Sequence, residues 1–489
     1  MRRSLRGMGD HEANLHAIFI AAILIAIGPL IGFLTARSQR SGEGHEESEL
    51  RFPPLVTGLS AASAGNSAFI LIGAVGLGYT MGLSALWIPL GYWVGDIIFW
   101  YLIAHRLVRR VQDTGVDTIS ELIAHQTTDR SSLPLRVAAL VTILAVGLFC
   151  TAQFLAIGKV SSEFLGLPFE ETVGGAVLIG LMSVCLGGLG SSMLVNVYQS
   201  LLMLVSALLL LFFVGGSLLT VGPPILSTTG TGPHAHLLDP FYGFTSVTLP
   251  LLIGAFMLSG LLYTTCSPHV LSRITKGRVD EIPRLRWIYM GFTQSLWQLM
   301  ILTGVALALL GTMASDPDSA GIIYAQSIMP TAVLGLFFAG IVAASLSTAE
   351  AQILVIANSL AMDLAPDAFN RLSAKAKKGL LVTLRFVVAL CIYIALRTVD
   401  LDMVSSLVIQ SGTILFAAFG IPAAIFIFRL SAGGVLMALI IIAGAGVTFF
   451  TRMTTNWPPA HEIFPGLAAA GLVFAIGTLL NRSKANLRG

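Results

Sequence analysis

Long apolar runs, each close to the roughly 20 residues that a helix needs to cross a bilayer, dominate the chain. We count thirteen of them and interpret each as a transmembrane helix. Their approximate limits are 15–37, 56–82, 84–106, 134–158, 172–190, 195–221, 245–270, 286–314, 328–362, 379–397, 402–428, 433–451 and 463–480. The pattern predicts an all-α polytopic membrane protein with about 13 transmembrane helices.

One of these runs, residues 56–82, contains a stretch that holds a helix weakly. Residues 60–67 read SAASAGNS, so small, hydroxyl and amide side chains replace bulky apolar ones. Unwound backbone inside a membrane is tolerated only where it is buried in protein or lines a cavity. We interpret the run as a broken helix at a binding site for a small cation. A small-residue face for helix packing would give the same composition.

A second interrupted run lies at residues 245–270. Its helix breakers and hydroxyls are Gly260, Thr264, Thr265, Ser267 and Pro268. Transporters built from inverted repeats carry discontinuous helices at matching positions of their two halves. If 56–82 is the first core helix, 245–270 is the sixth. The spacing therefore predicts a five-plus-five inverted-repeat core with broken first and sixth core helices.

These runs divide the chain into five segments. They are an N-terminal tail with an extra helix and loop at 1–55, a first repeat at 56–221, an outer loop at 222–244, a second repeat at 245–428, and two C-terminal helices with a short tail at 429–489. The loop holds His234 and His236, whose Gly/Pro-rich surroundings are more typical of solvated residues than of metal ligands.

Composition and charge agree with a membrane protein. The chain is 55% hydrophobic and 11% charged, whereas soluble proteins carry roughly 25% charged residues. On the predicted topology 21 of the 28 basic residues lie on one side. We expect a protein of the plasma (inner) membrane. The positive-inside rule then places its N-terminus outside and its C-terminus on the cytoplasmic side. Arg2, Arg3 and Arg6 run against this orientation.

The sequence offers no sign of catalytic chemistry. The four cysteines lie in apolar runs at unrelated spacings, so neither a disulfide framework nor a metal site is indicated. The motifs G-x-S-x-G, H-E-x-x-H and the phosphate loop do not occur. We expect no enzyme, no nucleic-acid partner and no cofactor; the expected partners are the lipid bilayer and a small-molecule solute. The oligomeric state is left open.

A third stretch supplies candidate cation ligands. Ala344, Ser347 and Thr348 stand at i, i+3 and i+4, so they share one face of a helix near mid-membrane. Facing carbonyls freed near Ser63 and Asn66, they would give about five oxygen ligands to a monovalent cation. The alternative is that both hydroxyls bond back to their own helix.

Five motifs, in order along the chain, resemble the core helices of one known family. They are LSAASAGNSAFILIGAVG at 59–76, GGLGSSMLVNVYQSLLM at 187–203, SPHVLSR at 267–273, AGIVAASLSTAEAQIL at 339–354 and FAAFGIPA at 416–423. Together they resemble the sodium:solute symporters, and SPHVLSR is similar to the QPHxxxR pattern of their proline-transporting branch.

This resemblance implies a sodium-coupled symporter with assigned site residues. The sodium ligands would be Ser63, Asn66, Ala344, Ser347 and Thr348. The substrate-binding residues would be Asn66, Ser67, Phe69, Gln153, Tyr263, Thr264 and Phe416. Sodium is then the coupling ion and the only metal expected.

The chain also departs from the proline branch. That branch has aspartates where this chain has Gly65 and Asn196, and it has Trp and Tyr where this chain has Gly260 and Thr264. The lost acids weaken the case for a second sodium ion, and the lost aromatic residues weaken the case for proline.

Two other acids lie inside predicted spans, Asp96 and Glu350. An ionised side chain at the bilayer centre costs roughly 2.5–3.5 kcal/mol on insertion scales, so such residues usually mark a pathway, a relay or an ion pair. A structural pair of Glu350 with Arg385 is one interpretation. Proton or ion coupling through Asp96 or Glu350 is the other.

The leading hypothesis is sodium-coupled symport of a small organic solute, most simply an amino acid such as proline, by alternating access. The first alternative is a proton-coupled symporter of the same fold that uses Asp96 or Glu350. A second, less favoured alternative is a membrane protein that senses a solute, a class that normally carries a cytoplasmic signalling domain, whereas this chain ends at Gly489.

Overall fold

A computed structural model describes residues 2–41, 51–116, 118–129, 131–166, 168–186, 188–222, 235–398 and 404–486. The described chain is helical, and its only extended pairings are two isolated bridges, Phe52 with Gly277 and Thr127 with Ala432. His234 lies outside the described residues.

The described residues form twenty α-helices, numbered here in chain order. They are α1 Arg2–Ser41, α2 Pro54–Gly65, α3 Ala68–Leu71, α4 Gly73–Met81, α5 Trp87–Ile98, α6 Ala104–Thr114, α7 Ile119–Ala124, α8 Leu133–Leu165, α9 Phe169–Leu186, α10 Leu189–Val221, α11 Thr248–Cys266, α12 Pro268–Ile274, α13 Ile282–Leu309, α14 Ala320–Ile328, α15 Thr331–Asn358, α16 Pro366–Asn370, α17 Ala374–Thr398, α18 Val404–Ile427, α19 Gly434–Thr454 and α20 Ile463–Asn486.

Eleven helical stretches of the described chain are long and apolar enough to cross a membrane. The sequence predicts thirteen spans, and the two numbers differ in identifiable places. Segment Ala68–Thr114 counts as one stretch of 47 residues, because α3 to α6 are separated only by Ile72, a 3₁₀ helix at Gly82–Leu86 and a π-helical turn at Phe99–Ile103. Helix α9 coincides with the predicted span 172–190 but is not among the eleven. The polytopic all-α prediction is confirmed, whereas the number thirteen stays a prediction.

The first core helix is broken where the small polar residues predict it. Helix α2 ends at Gly65, and Asn66 adopts an extended conformation with φ −102° and ψ 93°. Ser67 is also extended, with φ −80° and ψ −174°, and its Oγ accepts a hydrogen bond of 3.2 Å from the N–H of Phe69. The serine thus caps the short helix α3.

The sixth core helix is broken at Ser267. Helix α11 ends at Cys266, Ser267 is extended with φ −94° and ψ 104°, and Pro268 begins α12. Proline is suited to that first helical position because its missing N–H would have no intrahelical acceptor there. The prediction of broken first and sixth core helices is confirmed.

Paired glycines bring helices of the two halves into backbone contact. A Cβ added at Gly260 would lie 2.1 Å from the carbonyl oxygen of Tyr92, which brings α11 against α5. A Cβ at Gly304 would lie 1.9 Å from the carbonyl oxygen of Val75, which brings α13 against α4. The sixth core helix (α11) thus packs on the second (α5), and the seventh core helix (α13) packs in the same way on the first (α4). The two contacts are counterparts in an inverted repeat.

Candidate functional site

Helix α15 meets the first break at a buried cluster of oxygen atoms. Ser347 Oγ donates hydrogen bonds to the carbonyl oxygens of Ser63 at 2.9 Å and of Ala344 at 2.8 Å. Thr348 Oγ1 lies 3.4 Å from the same two oxygens. Ser63, Ala344, Ser347 and Thr348 are each 0% exposed. Four of the five predicted sodium ligands therefore converge.

The break makes the Ser63 carbonyl available. In a continuous helix this oxygen would accept from the N–H of residue 67, but the last such bond of α2 runs from the Asn66 N–H to the Ala62 carbonyl. Both hydroxyls also contact their own helix at Ala344, so the back-bonding alternative describes part of the geometry. The contact with Ser63, 284 residues away from Ser347, goes beyond it.

Asn66, the fifth predicted ligand, lies beside this cluster. Its Nδ2 donates to the Ala62 carbonyl and to Thr293 Oγ1, both at 2.8 Å. The side chain therefore bridges the end of α2 to α13. Coordination of a cation by its carbonyl oxygen stays a prediction.

A cavity of about 250 Å³ lies at the first break and extends along α11 to Tyr263, four residues before the second break. Five of the predicted substrate residues line it, namely Asn66, Ser67, Phe69, Tyr263 and Phe416. Gln153 and Thr264 are wholly buried and are not among the lining residues. Gln153 donates to the carbonyl of Phe149, which does line the cavity. Thr264 follows Tyr263 in the same helix, and successive helical side chains point about 100° apart.

Five aromatic rings form a continuous wall of this cavity. Ring centroids are 5.9 Å apart for Phe69 and Trp297, 5.1 Å for Trp297 and Tyr92, 5.8 Å for Tyr92 and Tyr263, and 5.9 Å for Tyr263 and Phe416. All four contacts are edge-to-face, an arrangement that aromatic quadrupoles favour. Tyr92 and Trp297 were not predicted from the sequence, because nothing local shows which way an aromatic side chain in an apolar span points.

The polar groups of the cavity are uncharged. Among its described lining residues there is no aspartate, glutamate, lysine, arginine or histidine. Hydroxyl and amide groups of Asn66, Ser67, Ser259, Thr293 and Thr413 line it together with the tyrosines. Such a lining suits a small solute without net charge.

Tyr263 gives a physical reason for the glycine at position 65. Its hydroxyl donates to the Gly65 carbonyl at 2.8 Å. A Cβ at Gly65 would lie 3.1 Å from Tyr263 Cε1 and 3.3 Å from Val270 Cγ2. An aspartate here would displace the tyrosine. Gly260 is constrained in the same way, because its contact with the Tyr92 backbone leaves no room for a tryptophan.

The other substituted acid position, Asn196, joins a buried polar network. In the amide orientation that satisfies its neighbours, Asn196 accepts from Arg273 Nε at 3.1 Å and donates to Gln199 Oε1 at 3.1 Å. Gln199 Nε2 lies 3.3 Å from Glu350 Oε1. Glu350 thus lies in a network that includes the cation Arg273, with which it also interacts electrostatically. The proposed pairing of Glu350 with Arg385 stays a prediction.

Asp96 lies apart from this network. It is 0% exposed, and its Oδ2 accepts from Gln294 Nε2 at 3.2 Å. Of the two loop histidines, His234 and His236, only His236 lies among the described residues. The centroid of its ring lies 4.5 Å from that of Tyr242. No group of three or more metal-ligating side chains occurs among the described residues.

Comparison with known proteins decides the family. Residues 51–442 match the model of the sodium:solute symporter family. The chain belongs to the sodium:solute symporter family. It is therefore a multi-span membrane symporter and not an enzyme.

Relatives and solved structures agree with this membership. The chain is 26% identical to a sodium/proline symporter of Salmonella typhimurium over 481 residues, covering 93% of this chain and 91% of the relative. It is 26% identical to the osmoregulated proline transporter of Bacillus subtilis over 447 residues, covering 88% of each. A Na⁺-coupled sialic acid symporter, solved in a substrate-bound outward-open state, matches with a TM-score of 0.78 at 17% identity, covering 95% of this chain and 97% of that one. The structural likeness concerns the fold alone.

Proposed function

We propose that this symporter couples sodium entry to the uptake of one small organic solute, most simply a proline-like amino acid. The observation that carries the proposal is the buried convergence of the Ser347 and Thr348 hydroxyls on the Ser63 carbonyl, beside a cavity of about 250 Å³. Unwound carbonyls and hydroxyls of this kind coordinate sodium in transporters with discontinuous helices. The relatives that transport proline support the amino-acid assignment.

Sodium at this cluster would join α15 to the broken first core helix. Ser63 and Asn66 lie within four residues of each other, and Asn66 and Ser67 line the solute cavity. A cation that fixes the Ser63 carbonyl therefore also fixes the backbone that faces the solute. This shared element couples the two ligands, since each favours the conformation that the other needs.

The cavity selects by size and by charge. Its volume lies below the roughly 300 Å³ at which sites for drug-sized ligands begin. Its lining carries no ionic group, so a zwitterion, whose charges sum to zero, fits better than a solute with net charge. We infer that Asn66, Ser67, Phe69, Tyr263 and Phe416 contact the solute, and that Gln153 and Thr264 support them from behind.

We also propose that the protein lies in the plasma membrane, with its N-terminus outside and its C-terminus on the cytoplasmic side. The support is the concentration of basic residues on one side of the predicted spans.

The test is uptake in proteoliposomes under an imposed sodium gradient, with a radiolabelled amino-acid panel. The double variant Ser347→Ala, Thr348→Ala removes both hydroxyls. We expect its apparent sodium affinity to fall by at least tenfold. The variant removes two hydroxyl ligands from a buried site, and the loss of a buried polar contact costs about 1–3 kcal/mol.

Ser345→Ala is the matched control. Ser345 lies on the same helix, is 0% exposed, and its Oγ has no hydrogen-bond partner. Its sodium affinity should remain within about twofold of the wild type. Uptake that ignores sodium in the wild-type protein, or an equal loss in the control and the double variant, would contradict the proposal.

A further inference from the structure

Asp96 and Gln294 form an acid–amide pair with two unsatisfied oxygens. Gln294 Nε2 donates to Asp96 Oδ2 at 3.2 Å. Asp96 Oδ1 and Gln294 Oε1 are both buried without a hydrogen-bond partner. Asp96 is 0% and Gln294 5% exposed, and the carboxyl lies in the apolar segment Ala68–Thr114. Each of the two side chains therefore has one polar atom in a hydrogen bond and one acceptor oxygen without a donor.

A proton on Asp96 Oδ1, donated to Gln294 Oε1, would satisfy both acceptors at once. A carboxylic acid and a primary amide can form a two-bond ring, in which the amide N–H donates to one carboxyl oxygen and the acid O–H donates to the amide oxygen. The structure shows the first of these bonds, and the two atoms of the second are the ones left without partners. An ionised Asp96 would instead leave two acceptors and no donor between them.

Among the described residues, the side chains that interact with Asp96 include no cation. The titratable groups that face it are Tyr92 on its own helix α5, Tyr263 on α11 and Tyr289 on α13, each of which interacts electrostatically with it. None of these three carries positive charge. Glu350, the other acid of the spans, shares its network with Arg273. Arg273 can compensate a negative charge on Glu350, whereas Asp96 has no such partner in the described part of the chain. Burial without a counter-charge therefore favours the protonated form of Asp96.

The pair lies directly behind the solute cavity. Tyr92 precedes Asp96 by one helical turn, and Tyr92, Tyr263 and Tyr289 all line the cavity. After Asp96 the helix changes to a π-helical turn at Phe99–Ile103, a feature that is frequent at functional sites. The occupancy of the cavity and the protonation of Asp96 therefore act on the same three tyrosines.

We propose that Asp96 is a proton-binding residue whose loading is coupled to the solute, so that one proton travels with the solute in addition to sodium. This inference rests on the proposed symport. The proton binds at Oδ1 from one side of the membrane and leaves to water on the other, with no change of any covalent partner. A second sodium ion fits poorly, because the pair offers only two unpartnered oxygens, whereas the proposed sodium cluster assembles about five ligands.

The experiment measures proton and solute fluxes together in proteoliposomes that contain a trapped pH dye, with sodium present on the outside. The wild-type protein should acidify the interior when L-proline, or the amino acid that the uptake panel identifies, is added outside. Asp96→Asn should lower the ratio of proton flux to solute flux by at least tenfold, because its amide cannot release a proton. A rise of its unfolding temperature with sodium shows that the variant is folded.

Asp363→Asn is the matched control. Asp363 is also 0% exposed, also accepts one hydrogen bond, from Thr118 Oγ1 at 2.9 Å, and also leaves its other carboxyl oxygen without a partner, but it is absent from the lining of the solute cavity. This variant should keep the wild-type flux ratio. Sodium-driven uptake without any proton flux in the wild-type protein overturns the inference and leaves the proposed function standing.

Three further outcomes separate the hypotheses. A normal flux ratio in Asp96→Asn, or a fall in its sodium Hill coefficient with the proton flux intact, overturns the assignment of the proton to Asp96. Uptake that needs the proton gradient, ignores sodium and is lost in Asp96→Asn supports the proton site and overturns the sodium coupling.

Discussion

At the scale of single residues, Tyr263, one of the predicted substrate residues, contacts both the first helix break and the aromatic wall of the cavity. Its hydroxyl holds the freed carbonyl of Gly65, and its ring packs edge-to-face on Tyr92 and Phe416. It lies on the sixth core helix four residues before the second break at Ser267. One side chain therefore links the two breaks and the cavity between them.

Tyr263→Phe should raise the KM for the solute by about fivefold or more. The change leaves the partly buried Gly65 carbonyl without its donor, which costs about 0.5–1.5 kcal/mol, and it loosens the backbone that faces the solute. Uptake kinetics and the unfolding temperature measure the two effects.

Tyr79→Phe is the control for that variant. Tyr79 also donates to a backbone carbonyl, that of Thr312, at 2.6 Å, but it does not line the cavity. It should lose a similar amount of stability with an unchanged KM. Equal KM values for the two variants would show that the Tyr263 hydroxyl plays no part in solute binding.

At the scale of elements, the glycine contacts determine how closely the two halves approach. Gly95 and Gly260 bring α5 and α11 together, and Gly78 and Gly304 do the same for α4 and α13. In each pair the nearest atoms to an added Cβ are backbone atoms, which cannot rotate away as a side chain can. The aromatic wall depends on the first contact, because Tyr92 and Tyr263 come from these two helices.

Gly260→Ala should destabilise the protein by about 2 kcal/mol or more, as overpacking against backbone typically does. It should also reduce solute affinity by separating Tyr92 from Tyr263. Gly291→Ala on α13 is the control, since nothing lies within 4 Å of its Cβ position. Alanine there should be neutral or stabilising by up to about 1 kcal/mol because it is the better helix former. An unaffected unfolding temperature in Gly260→Ala would refute the contact.

At the scale of the whole molecule, a partly buried acid outside the spans links stability to pH. Asp318 lies in the turn Pro317–Ser319, and its Oδ1 would be 2.7 Å from a Cβ at Gly76 of α4. Burial, and next the neighbouring charge of Asp316, raise the pKa of Asp318 to about 6, whereas Lys159 lowers it in part. The native state therefore holds this proton more tightly than the unfolded chain, whose aspartates titrate near 3.9.

The sign of the effect follows from linkage. The stabilising contribution of protonated Asp318 is complete below about pH 4 and is lost as the pH rises through about 6. Asp318→Asn, which cannot ionise, should therefore be more stable than the wild type at pH 8, by about 1–3 kcal/mol. At pH 4 the two proteins should be equally stable.

Unfolding temperatures in detergent between pH 4 and pH 8 measure this difference. Asp239→Asn, at an exposed position, is the control and should follow the wild type throughout. A difference between Asp318→Asn and the wild type that does not change with pH would contradict the assigned titration.

The sequence by itself determined the helical membrane fold, both helix breaks and the shared face of Ala344, Ser347 and Thr348. These features depend on local properties: the length of an apolar run, the presence of weak helix formers, and the spacing of 3.6 residues per turn. The helix count stays a prediction, because the sequence divides the region into spans 56–82 and 84–106, whereas Ala68–Thr114 forms one continuous helical stretch in the structure.

Only the tertiary structure decided which side chains meet. It brought Ser63 to Ser347, added Tyr92 and Trp297 to the cavity, and left Gln153 and Thr264 behind its wall. It also separated the two buried acids, because Glu350 shares a network with Arg273 while Asp96 faces an amide and three tyrosines. The physical reason is that every helix in these spans is apolar on most sides. Its rotation, and therefore the partner of each polar group, is set by packing between residues far apart in the chain.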